Sequence, residues 1–237
     1  FATIAAAIAA AAPFDTILID PSFAGNEYVV IGKEGLTFAI PAGVPGIRFQ
    51  LDNGFANGSL TGNGAAIYEG NFLDNTISGN DGDNVLIGHT GNDILHGNGG
   101  NDNLQGSGGD DFADGGDGDD YITGSDGYDE LHGGDGDDEL VGQFHPDQLF
   151  GEAGDDILRG DESEDLLVGG DGHDRLYGGR DNDTLVGGSG NDYFDGGAGA
   201  DTADFSGTSF GVTVNLAVTA LQNTGEGADQ FFNVENI

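Results

Sequence analysis

Aspartate recurs every nine residues through much of this 237-residue chain, each time behind a glycine-rich run. Two stretches show the pattern in full: Gly115-Gly-Asp-Gly-Asp-Asp-Tyr-Ile-Thr123 and Gly133-Gly-Asp-Gly-Asp-Asp-Glu-Leu-Val141. The consensus is G-G-x-G-x-D-x-U-x, with U a large apolar residue. Glycine at the first, second and fourth places permits backbone angles closed to other residues, so that successive carbonyls can point inward. Aspartate at the sixth place adds a carboxylate. Carbonyl and carboxylate oxygen, with neither His nor Cys, make a hard-cation set that suits Ca²⁺ better than a transition metal.

Other chemistry finds less support. Gly207-Thr-Ser-Phe-Gly211 matches the G-x-S-x-G nucleophile elbow, which needs a strand before it and a helix after it. Here Val212-Thr-Val-Asn-Leu216 follows, which reads as a strand. The histidines His89, His96, His132, His145 and His173 occupy four different repeat positions and form no H-E-x-x-H set. Carboxylate pairs are so common that they say nothing of glycosidase chemistry. The G-x-G clusters belong to the repeat and not to a nucleotide loop. No enzyme is expected.

The elements that must place these aspartates follow from the period. From Gly70 to Asp204 the unit runs fifteen times with no residue inserted or lost, which means a stacked solenoid. In each unit G-G-x-G-x-D should form the turn and x-U-x a three-residue strand. The U residues, from Ile77 through Leu140 to Phe194, should form a thin core, with Ala113 and Ala203 its small members.

Charge explains why such a chain needs ions. With 43 acidic against 5 basic residues the net charge is -38, and self-repulsion opposes any compact state. A hydrophobic fraction of 36% gives little to set against it. Nucleic acid is excluded as a partner, because phosphate binding needs a basic patch. There is no cysteine and hence no disulfide, and no apolar run reaches the roughly 18 residues of a membrane helix.

The repeat block resembles the repeats-in-toxin (RTX) calcium-binding β-roll of secreted haemolysins, proteases, lipases, epimerases, adhesins and surface-layer proteins. The resemblance implies an all-β fold, a right-handed parallel β-roll with two units per turn. It also implies Ca²⁺ ions between loops of adjacent turns, held by sixth-place carboxylates and loop carbonyls. Carried over, the sixth places are Asn75, Asn84, Asp93, Asp102, Asp111, Asp120, Asp129, Asp138, Asp147, Asp156, Asp165, Asp174, Asp183, Asp192 and Asp201. Asn75 and Asn84 depart from the family's Asp and should bind less tightly.

An 18-residue turn sorts the loops into two columns. The first, beginning at Gly79, Gly97, Gly115, Gly133, Gly151, Gly169 and Gly187, keeps its first and fourth glycines and should hold six ions. The second begins at Gly70, Gly88, Gly106, Gly124, Gly142, Gly160, Gly178 and Gly196, and its fourth glycine is lost in the loops at 142, 160 and 178. Its row should be filled mainly between Gly88 and Asp129 and be interrupted beyond. The expected ligands are therefore Asn84, Asp93, Asp102, Asp111, Asp120, Asp129, Asp138, Asp156, Asp174, Asp192 and Asp201. Arg180 and Glu162, third in their loops and one turn apart, should pair where an ion is missing. Phe150, Leu166, Val168 and Val186 should face outward beside them, covered by residues 205–237 or by a partner.

Flanking segments complete the organisation. Residues 1–13, Ala-rich and apolar, should cap one end of the solenoid or dock onto a neighbouring subunit. Their lack of an initiator Met suggests a processed form or a fragment. Residues 14–69 carry short β-type runs at about ten-residue spacing, which fit either further solenoid turns or a small sandwich. Residues 205–237 keep strand character and should extend the roll, and a family resemblance at Asn-Val-Glu-Asn-Ile237 suggests that further repeats follow.

The expected function is a calcium-binding structural module of a secreted or cell-surface protein: an adhesin, surface layer or filament subunit that folds on meeting extracellular Ca²⁺. Head-to-tail self-assembly is one expectation for its partners besides calcium. The rival is an accessory domain of an exoenzyme whose catalytic part lies elsewhere, and the mass of the full-length protein separates the two.

Overall fold

The structure, a computed structural model, describes residues 4–19, 28–32, 35–41, 47–52, 57–206, 216, 220, 222–224 and 227–237. Its described strands form two sheets of 11 and 12 strands, and the chain alternates between them at every half turn. All pairings but one are parallel. The fold is a parallel β-solenoid.

The cause is the apolar residue at the eighth place. Alternation turns it inward from either sheet, and the stripe from Ile77 to Phe194, Ala113 included, is fully buried. Each neighbour in the sheet stands 18 residues away: Leu104 pairs with both Leu86 and Ile122. Strands are longer than the expected three residues. Tyr121–Asp126 and its equivalents run six, because pairing resumes past the first-place glycine, as Ser107↔Ser125 and Gly108↔Asp126 show. Only places four to six form the bend.

Residues before the repeats belong to the same solenoid, which decides between the two architectures left open for 14–69. Thr16 pairs with Thr37, Thr37 with Ser59, and Asn57 with Thr76, so turns shorten from 21–22 residues to 19 and then to 18. The strand Asn57–Gly62 escaped the sequence reading because Asn-Gly-Ser-Leu-Thr-Gly looks like a loop. Its one large side chain, Leu60, is buried. The short helix Ile4–Ala10 places Ile4, Ala7 and Ile8 in the common core, at the spacing of one helical face.

Aromatic rings fill the core at both ends. Phe38, Phe49 and Tyr68 pack as tilted rings, with centroids 4.3 and 5.7 Å apart, near the N-terminal turns. Phe194 and Phe231 stack at 4.9 Å near the last ones, with Phe205 against both. Beyond the repeats Ala228–Phe232 adds a parallel strand beside Tyr193–Ala198, and Gln222–Asn223 closes that sheet with an antiparallel pair. The described part of 205–237 thus lies on the end of the roll and not over its outer face. The strand expected over 212–216 and the Gly207–Gly211 motif fall outside the described residues, apart from Leu216.

Candidate metal centre

The sixth-place aspartates stand in two buried ladders, one along each bend. Each carboxylate uses Oδ1 to accept the backbone N–H of the sixth-place residue one turn earlier: Asp102 N–H donates to Asp120 Oδ1 at 2.6 Å, and Asp120 N–H to Asp138 Oδ1 at 2.7 Å. The same bond links Asp129 to Asp147, Asp147 to Asp165 and Asp165 to Asp183. Oδ2 has no hydrogen-bond partner in the sixth-place aspartates from Asp93 to Asp183 or in Asp201, although all are buried. An ionised oxygen in that position carries a heavy desolvation cost unless something cationic meets it.

What meets it is set by the first-place glycines. None of them adopts a left-handed φ, so their role differs from the one read off the sequence. They leave space. A Cβ on Gly115 would overlap Asp120 Oδ2 and come 2.6 Å from the Gly133 carbonyl oxygen, one turn on. Gly97, Gly133, Gly151 and Gly169 repeat this arrangement. Beside each one a carboxylate oxygen and a main-chain carbonyl oxygen crowd the glycine so closely that a methyl group would overlap them. Among the described residues no group of three His, Asp or Glu side chains can hold a metal by itself. The remaining ligands must be carbonyls, as a hard cation prefers.

Residues 69–203 match the RTX calcium-binding nonapeptide repeat in six overlapping windows: 69–104, 96–131, 114–144, 132–167, 141–176 and 168–203. That is more than half of the chain. The protein belongs to the RTX family. A search of the curated proteins finds no match. RTX repeats bind Ca²⁺, and the residues present fit that ion: buried hard oxygens without hydrogen-bond donors, carbonyl oxygens close by and a surplus of negative charge. Bound calcium supplies the positive charge that lets buried carboxylates stay ionised and ties one turn to the next. The roll is a calcium-binding structural module.

Without calcium, burial drives these carboxyl groups far above the usual carboxylate range. It raises Asp102, Asp111 and Asp147 to about 8, and Asp138, Asp165, Asp174 and Asp183 to about 7. Asp93, Asp120, Asp129 and Asp156 rise to about 6. The accepted backbone N–H bond pulls each value down, and neighbouring carboxylates push it up again.

Loss of the fourth glycine alters the second column less than expected. His145, Ser163 and Asp181 take the left-handed φ themselves, at 72°, 95° and 72°. Asp147, Asp165 and Asp183 consequently join the ladder with the same unpartnered Oδ2 as the rest. Beside Gly160 and Gly178 the opposing carbonyl stands 2.7 Å from where a methyl group would sit. Beside Gly106, Gly124 and Gly142 that carbonyl stands farther off than carbons of the aspartate. The aspartate–amide ladder itself therefore runs unbroken from Asp147 through Asp165 and Asp183 to Asp201. Asn84 also crowds its glycine, but its Oδ1 already accepts the Asn80 N–H at 2.8 Å, and Asn75 is held likewise by Asn71.

A second, outer ladder was missed. Fifth-place side chains accept the N–H of the fifth-place residue one turn later: Asp119 from Asp137, Asp137 from Asp155, Asp155 from His173. The signal was present as Asp, Asn or His at 83, 101, 119, 137, 155, 173 and 191. Tyr128 breaks the Asp/Asn/His pattern of acceptors in the other column, and the residue one turn on is Pro146, which has no N–H to satisfy. The irregularity is matched on both sides.

Arg180 and Glu162 pair as expected, adjacent in register and both largely exposed. Arg159 pairs with Glu139 and lies over the Tyr177 ring at 5.5 Å. Phe150, Leu166, Val168 and Val186 are half-buried by neighbours in their own sheet, and Phe150 stacks on His132 at 4.8 Å. Of the histidines only His132 is held on both sides, between Glu130 and Glu152.

Proposed function

We propose that this chain is the calcium-gated structural module of a secreted or cell-surface protein, an adhesin, surface-layer or filament subunit. The supporting observation is the double row of buried aspartate oxygens without partners. In a calcium-poor cell the carboxylates repel one another and the chain stays extended, in a state suited to export by a type I route. Outside, where sites of about 10⁻⁴ to 10⁻³ M fill, ion binding and folding are one event. Ligands in this reading are Asn84, Asp93, Asp102, Asp111, Asp120, Asp129, Asp138, Asp156, Asp174, Asp192 and Asp201. Asp147, Asp165 and Asp183 join them as weaker ones, because their loops store backbone strain. The helix Ile4–Ala10 serves as the N-terminal cap.

Circular dichroism of the purified chain tests the gating. Millimolar Ca²⁺ should convert a coil spectrum into a β spectrum, and chelator should reverse it. A β spectrum indifferent to calcium would end this reading. Head-to-tail assembly belongs to the same proposal, and electron microscopy in calcium checks it: monomers alone would remove that part.

A further inference from the structure

The ladder geometry does not stop where the repeats stop. Asp201 is fully buried, and its Oδ2 has no partner. A Cβ on Gly196 would overlap both this oxygen and a carbonyl oxygen, as at other first-place glycines. The carbonyl is that of Asn233, far outside the nonapeptide pattern. Asn233 holds a left-handed φ of 48°, and its Nδ2 donates to Asp195 Oδ1 at 2.7 Å, which fixes the turn. Glu235 takes over from the next sixth-place aspartate: its Oε2 accepts the Asp201 N–H at 2.9 Å. The N–H groups of Glu235 and Asn236 in turn donate to the Asp201 carbonyl at 3.1 and 2.9 Å.

The other column ends differently. Asp229 Oδ1 accepts the Asp192 N–H at 3.0 Å, so the ladder continues, but its Oδ2 accepts the Thr224 hydroxyl. A Cβ on Gly187 would meet the Phe194 ring where an opposing carbonyl stands elsewhere. In that column the last ladder carboxylate, Asp229, takes a hydroxyl, and the Phe194 ring stands where a carbonyl would. The column ending at Gly196 keeps a carbonyl beside Asp201 Oδ2.

We propose that Asp201 Oδ2, the Asn233 carbonyl and the Glu235 carboxylate form a terminal calcium site that latches residues 228–237 onto the end of the roll. The site rests on the calcium reading of the repeats and adds non-repeat ligands to it. Its consequence is that the closing segment docks only when calcium is bound.

Hydrogen exchange and equilibrium dialysis on the whole chain test the latch, with Ca²⁺ as the only added ligand. In the wild type, calcium should protect the amides of 228–237 together with those of the repeats. Gly196→Ala should bind one ion fewer and lose protection over 228–237, while 85–180 keeps it. Glu235→Gln retains an acceptor for the Asp201 N–H but removes the charge. It should raise the calcium concentration needed to protect 228–237 by about tenfold, since ligand charge sets affinity in such sites. Protection of 228–237 that is indifferent to calcium, wild-type stoichiometry in Gly196→Ala or an unshifted midpoint in Glu235→Gln would overturn the latch. Calcium that protects no part of the chain would overturn the family reading itself, which separates the two failures.

Discussion

Gly133→Ala isolates what one ion contributes. The added methyl would overlap Asp138 Oδ2 and stand 2.7 Å from the Gly151 carbonyl oxygen, displacing two oxygens expected to bind calcium. Gly133 does not occupy the left-handed region, so alanine brings no backbone strain. Loss of one site removes a stabilisation of RT ln(1 + [Ca²⁺]/Kd). For a Kd of about 10⁻⁴ M, that is about 1.4 kcal/mol at 1 mM calcium and about 2.7 kcal/mol at 10 mM. The steric cost of displacing Asp138 is the same at every calcium concentration, whereas the ionic part grows by about 1.4 kcal/mol per decade. Urea unfolding followed by circular dichroism at three calcium concentrations separates them. A difference between variant and wild type that stays constant from about 0.3 to 30 mM, a range bracketing such sites, refutes the assignment of those oxygens to an ion.

Three further outcomes follow from the geometry. The aspartates lifted to between about 6 and 8 bind more protons folded than unfolded, so their contribution to the metal-free roll is fully present below the unfolded value of 3.8 and is lost as pH rises through 6 to 8. Calcium-free chain should therefore show more β signal by circular dichroism at pH 5 than at pH 9, and the reverse order would contradict the burial of these groups. Ser163→Gly should stabilise the calcium-bound roll by about 1 kcal/mol, because a left-handed non-glycine residue costs about 1–3 kcal/mol and glycine returns part of this as chain entropy. Asp181→Gly should gain less, since aspartate tolerates that region better than serine, and thermal melts rank the two. Arg180→Ala should cost no more than about 1 kcal/mol, because its pair with Glu162 is open to water, and a larger loss in chemical denaturation would give the pair a role beyond screening.

The core and the calcium ladder were legible because both have a strict period. A leucine every nine residues leaves one consistent inward face, and an aspartate at a constant offset lands at the same bend every turn. The solenoid turns before Gly70 were only half legible. Strands such as Ile47–Leu51 carry alternation, but turns of 19 to 22 residues blur the period. Asp229 and Glu235 were illegible as ladder members: they stand 37 and 34 residues past the groups they bond, a separation that no 18-residue register predicts. The first-place glycine was identified as essential for the wrong reason, since spacing reveals that a side chain is forbidden but not whether torsion or space forbids it.

That distinction governs how the second column should be read. If glycine mattered only for torsion, Gln143-Phe-His-Pro146 and Asp161-Glu-Ser-Glu164 would break the loops and with them the ladder. The structure instead puts the strain on His145 and Ser163 and leaves Gly142, Gly160 and Gly178 in place, so the aspartate oxygen keeps its place beside the glycine where the backbone is least comfortable. Strain raises the free energy of the folded loop whether or not calcium is present. It should weaken the apparent affinity of the neighbouring site without removing a ligand. Arg180 adds to this by placing a cation near carboxylates that would otherwise drive calcium in. On this reasoning the columns should differ in affinity, the first filling at lower calcium and the second completing the roll as the concentration rises.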